Sequence, residues 1–162
     1  MVAFSFFFIK NSINMFLKSI FIFLIVIGKL LFAETYFDEI KIINNNDHII
    51  NYFVEVATSK SDQEKGLMHR KMLNKKSGML FIFKKEKVAN FWMKNTYIPL
   101  DIIFIKKNGR VDLIKKNVKP LNLKTIKSKG KVIAVLEINA GEVEEFGIDE
   151  GSIVNVKKFI NN

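Results

Sequence analysis

With 162 residues, 49% of them hydrophobic and 26% charged, the chain is long enough for one folded core and is not a disordered composition. It has no cysteine, which excludes disulfides, thiolate metal sites and cysteine nucleophiles. The net charge of +10 rests almost wholly on lysine, because Arg70 and Arg110 are the only arginines, so its cations are point charges rather than bidentate forks.

Residues 1–33 differ from the remainder. They contain Lys10, Lys18 and Lys29 and no acidic residue. The uncharged run Ser19–Gly28 suits the apolar region of a signal peptide, Lys18 supplies the positive flank, and Leu31-Phe32-Ala33 offers a cleavage site. A spanning helix wants roughly 20 apolar residues, and the three lysines interrupt the run too often for that. An uncleaved anchor is the alternative, since Leu31 is larger than the small residue preferred two places before Ala33. Translation could begin at Met1 or at Met15; from Met15 the segment has the usual proportions. The expectation is export to the periplasm or cell envelope, with any membrane attachment made through this segment. Beyond residue 33 there are 23 basic and 16 acidic residues, a net +7. Lysine pairs scattered near turns read as a solvated surface, and nucleic-acid binding, which would want arginine and a stripe of stacking aromatics, is not expected.

Residues 34–49 read as a first strand, Tyr36–Ile43, and the turn Asn44-Asn45-Asn46-Asp47. A β-rich domain follows over 50–160. Alternation of Ile50, Tyr52, Val54 and Val56 predicts a half-buried strand. Thr58 or Ser59 can cap a short helix running to about His69, with Leu67, Met68 and Leu73 turned inward. Met79–Phe83 is apolar at every position, as in a strand buried on both faces. Val88–Lys94 is read as a separate strand and Leu100–Ile105 as another, and Asn108-Gly109 signals a hairpin to Val111–Val118. Residues 119–130 have no assignment. Val132–Ile138 is a strand, Gly141–Phe146 a helical turn, and Ile153–Phe159 a closing strand. The sum is about eight strands and two short helices with no strand–helix–strand rhythm: a mainly β, antiparallel sandwich or barrel-like domain.

The stretch Asn90–Asp101 holds the single Trp and a dense polar run between apolar strands. Lys94, Asn95, Thr96 and Asp101 beside Trp92 could form a shallow pocket for a small anionic or sugar-like ligand, completed by Arg70 and Glu137. The structural alternative is a hydrogen-bond network that pins the loop, with Lys94 paired to Asp101 or Glu137. Asp101 with Glu137 could also serve as a general-acid pair of a cell-envelope enzyme. Met68, Met79 and Met93 could ligate cuprous ion if their sulfurs converge, although methionine is more commonly a core filler. No hydrolase or phosphate-loop string is present. The chain is thus expected to need no cofactor, to be more a binding module than an enzyme, to act as a monomer, and to meet a small molecule or an envelope protein.

Several strings occur in a telling order: Gly66-Leu67-Met68-His69-Arg70, Gly78-Met79-Leu80-Phe81-Ile82-Phe83, Phe91-Trp92-Met93-Lys94-Asn95-Thr96, and Ile98-Pro99-Leu100-Asp101-Ile102-Ile103-Phe104. Leu136-Glu137-Ile138-Asn139-Ala140-Gly141 follows, then Gly147-Ile148 and Gly151-Ser152. Together they resemble the prokaryotic family called domain of unknown function 192, over roughly residues 50–158. The resemblance implies a compact β-rich domain, often exported, with no established activity or catalytic residues.

Overall fold

The computed structural model describes residues 37–160; the signal segment expected over 1–33 lies outside them. Seven strands form one sheet in the order β5-β4-β6-β3-β2-β1-β7. They are β1 (Phe37–Ile43), β2 (Ile49–Ala57), β3 (Ser77–Phe91), β4 (Leu100–Ile105), β5 (Val111–Val118), β6 (Ile126–Asn139) and β7 (Ile153–Val154). The sheet is curled into a half-barrel. Its two edges meet at one end, where Arg110 bridges Ile153, Val111 N–H donates to Ser152 O (2.8 Å), and Val154 N–H donates to Gly109 O (2.8 Å). The barrel-like expectation holds. There are seven described strands rather than eight and three short helices rather than two: α1 (Lys60–Lys65), α2 (Glu142–Glu145) and α3 (Lys157–Ile160).

Alternation along the strands separates two cores. One face gathers Ile40, Ile42, Tyr52, Val54, Leu80, Ile82, Ile103, Leu136 and Ile138; the other gathers Met79, Phe81, Phe83, Ile102, Phe104, Val132 and Val135. Every side chain from Met79 to Phe83 is buried, as the unbroken apolar run requires.

Three expectations change. The strands predicted at 79–83 and 88–94 are parts of one strand, β3, that ends at Phe91. The polar stretch between them is an irregularity in which Ile82–Lys87 faces only Val132–Ala134 of β6. A strand–helix–strand unit does exist: β2 and β3 pair in parallel, Val54 opposite Gly78, and residues 58–76 with α1 make the crossover a parallel pair needs. Finally, only Ile153–Val154 of the predicted closing strand pairs with β1; Val156 N–H turns back to Val154 O (2.9 Å) and α3 follows. The unassigned stretch resolves into a loop to Thr125 and the first residues of β6.

The tightest contact lies at the centre. A Cβ on Gly78 would stand 2.5 Å from the backbone oxygen of Glu137 and 3.0 Å from Ile138 Cγ2. The 2.5 Å contact is to backbone held in the β3–β6 ladder, which has no flexible end to move aside. Gly78→Ala is therefore expected to cost about 1–3 kcal/mol or more, read as a lower urea midpoint with an unchanged slope.

Candidate functional site

A cleft of about 290 Å³ opens on the second core face, between α1 and the start of the 92–99 loop. Its floor is Phe81, Phe83, Phe91 and Ala89; Gln63, Gly66, Leu67 and Met68 form one side, Trp92 and Thr96 another, and Glu137 reaches it from β6. Ser59 caps α1 by accepting from Asp62 N–H (3.0 Å), and Gly66 ends it at φ 50, ψ −139, where its N–H reaches Asp62 O. Gln63 fastens the helix to the sheet through Nε2, which donates to Ile82 O (2.7 Å) and Ala57 O (3.1 Å). Phe91 packs edge-on to Phe81 and Phe104, at ring-centre distances of 5.0 and 6.1 Å, and fixes the aromatic floor.

The loop beside it is pinned mostly by backbone. Met93 N–H donates to Asn122 O (2.9 Å), Leu121 N–H to Thr96 O (3.1 Å), and His69 N–H to the carbonyl of Asn95 (2.8 Å), which sits at φ 55. Thr96 Oγ1 donates to Lys94 O (3.3 Å). Met93 is buried while Trp92 and Lys94 point outward; Trp92 is 54% exposed.

Of the seven residues expected at one site, the structure brings Trp92, Thr96 and Glu137 to the cleft. Arg70 does not complete it, because its guanidinium is clamped by the buried Glu55: Nη2 donates to Oε2 at 2.6 Å, and Nη1 bonds the other carboxylate oxygen. Lys94 is exposed and pairs with neither Asp101 nor Glu137. Asn95 serves through its backbone.

Asp101 lies on the other face, fully buried. Its Oδ1 accepts from Asn117 N–H (2.7 Å), which a bulge in β5 leaves unpaired in the ladder, and Oδ2 accepts from Gly141 N–H (2.9 Å) and Val143 N–H (3.1 Å) at the start of α2. Nearby, burial together with the Glu142 carboxylate pushes the Tyr52 hydroxyl far above its usual pKa of 10. Asp101 pairs with Ile138 and Glu137 with Ile102 on adjacent strands, so the carboxyls are one register step apart and face opposite sides. The general-acid pair therefore cannot form. The methionines do not share a cavity either: Met79 and Met93 are buried among apolar side chains, and only Met68 lines the cleft. Among the described residues no cluster of three or more His, Asp or Glu could hold a metal ion.

Glu137 is the unusual group. It is 5% exposed, and burial alone raises its carboxyl from 4.5 to about 8; no cation or hydrogen bond offsets the desolvation. At neutral pH the group is mostly a neutral carboxylic acid, able both to donate and to accept. The sequence marked Glu137 but not the aromatic floor or Gln63. The apolar run at 79–83 announced burial, without showing that α1 leaves one face of it partly open.

The fold is a curled seven-stranded sheet with a cleft on one face. The chain belongs to the family domain of unknown function 192, described as an uncharacterised ACR, whose model matches residues 41–156. One similar solved structure is a Sinorhizobium meliloti 1021 protein described as a candidate transcription regulator, 34% identical, TM-score 0.75, covering 76% of this chain and 96% of that one. Another is a protein of unknown function from Novosphingobium aromaticivorans DSM 12444, also 34% identical, TM-score 0.73, covering 77% of this chain and 89% of that one. No curated protein matches.

Two substitutions separate the carboxyls. Asp101→Asn sets an amide against three backbone donors and is expected to cost about 3 kcal/mol at neutral pH in chemical denaturation. Glu137 does the reverse. It ionises near 4.5 in the unfolded chain and near 8 in the folded one, so folding takes up a proton between those values. Its contribution to stability falls as pH rises through that window and levels off above it, by several kcal/mol in all. Glu137→Gln is expected to remove that slope and to unfold at higher denaturant than the parent at pH 8; a slope that survives the substitution would assign it to another group.

Proposed function

We infer that this is an exported small-molecule-binding module whose site is the cleft beside Trp92, taking a small polar ligand, sugar-like or anionic, with an apolar side. The observation that carries this reading is Glu137, a buried carboxyl with no partner in the protein, at an aromatic cleft large enough for a small molecule. A buried polar group left unpaired is costly, and a ligand supplying its partner recovers that cost. Because Glu137 is neutral at pH 7 it can donate to a ligand oxygen, even a charged one, where a carboxylate would repel it. Lys60 is paired with Glu64 on the same wall (3.7 Å), while Lys65 and Lys87 favour anions, with Lys87 Nζ 4.0 Å from the Phe83 ring centre. Export rests on the acid-free, apolar segment 1–33. The relative described as a candidate transcription regulator suggests another role, but the longest described helix has six residues, which gives no support to a helix seated in a DNA groove.

The single tryptophan makes the test direct. Sugars and small organic acids are titrated against the protein while Trp92 emission is followed. Saturable quenching is expected for one chemical class, kept in Glu137→Gln, lost in Glu137→Leu, and weakened as pH rises above about 8. If no sugar or small acid perturbs Trp92, the ligand reading fails.

A further inference from the structure

Three loops meet at the end of the sheet beside the cleft: residues 66–76, 92–99 and 119–125. The bonds His69–Asn95, Met93–Asn122 and Leu121–Thr96 join their backbones into one surface. None of the three contains an acidic residue. Arg70 and Lys75 are paired, to Glu55 and Glu145. Lys71, Lys94, Lys119 and Lys124 are exposed and form no ion pair. Interspersed with them stand Met72, Trp92, Tyr97, Leu121 and Leu123, between 49% and 72% exposed. Leu121 is held at φ 59, a conformation uncommon for a side-chain-bearing residue, at the tip of its loop.

We propose that this three-loop surface docks on the face of an anionic lipid bilayer. Large apolar side chains massed among unpaired cations are costly in water and match the boundary of such a bilayer, where apolar groups enter and ammonium groups meet lipid phosphates. Indole and phenol rings favour that depth, and each lysine near an anionic leaflet adds attraction. The attachment is peripheral, since among the described residues no helix is long and apolar enough to cross a membrane. A single-stranded nucleic acid would use the cations and the two aromatics but leave Met72, Leu121 and Leu123 exposed, and it would want arginine; neither Arg70, held by Glu55, nor Arg110, at the closed end of the sheet, is on offer. This docking does not depend on the ligand reading: Leu121, Leu123, Lys119 and Lys124 line no part of the cleft.

The test mixes the full chain with vesicles of phosphatidylcholine alone or with an equal share of phosphatidylglycerol. Trp92 emission reports contact by this surface rather than insertion of the N-terminal segment, which has no tryptophan. A blue shift with the anionic vesicles only, quenching by lipids brominated near the headgroup, and reversal in high salt are expected. Leu121→Asp with Leu123→Asp, and separately Lys94→Glu with Lys119→Glu and Lys124→Glu, should each weaken that response at least tenfold while leaving the unfolding midpoint close to the parent's. No shift with anionic vesicles, an equal shift with neutral ones, or variants that respond like the parent would overturn the proposal. So would tighter binding of a single-stranded oligonucleotide that the same variants abolish.

Discussion

The structure depends on how closely β3 and β6 approach at its centre. Both strands are long, both are buried on two faces where 78–82 pairs with 134–138, and at Gly78 the separation leaves no room for a methyl group. That contact fixes which side chains of β6 face which core. Glu137 falls on the side of Phe81 and Met79, and Leu136 and Ile138 on the other. β4 pairs with the far side of β6, so the register at Gly78 also decides where Asp101 points.

The two buried carboxyls then have opposite fates for a simple geometric reason. Asp101 meets three backbone donors at places where the chain breaks its own ladder, a bulge in β5 and the start of α2, and it holds those breaks together. Glu137 emerges in the middle of a strand paired on both sides, opposite Met79 of β3 and Ile102 of β4, where the backbone is committed to the ladders. With no donor left over it remains protonated and available to the cleft. One carboxyl is spent on architecture and the other is not.

Much of this could be read from the residues. Periodicity located most of the strands and the double burial of 79–83, and the Asn108-Gly109 turn residues located the hairpin. Ser59 announced the start of α1. What could not be read was set by pairing partners far away in sequence. The lysine-rich break at 84–87 looks like a turn because local composition cannot distinguish a turn from an irregularity inside a strand held by β6. The parallel match of β2 to β3 is hidden, since the crossover helix is only six residues and exposes most of its surface. The grouping of Asp101 with Glu137 failed because closeness on adjacent strands says nothing about side until the register is known. Arg70 was drawn to Glu55 instead of to the loop, a partner fifteen residues earlier that alternation alone would have turned toward solvent.

The closure of the sheet has a consequence for how the chain becomes a protein. Ile42 is paired with Val154, and Arg110 with Ile153, so both edges are sealed by β7, the last of the described strands in chain order. Contacts so distant in sequence form late. Until β7 is in place, β1 and the start of β5 lack the strand that seals them, and the half-barrel stays unlatched. A folding chain of this design passes through an open sheet whose two edges can still pair with other strands, and it latches only when β7 docks.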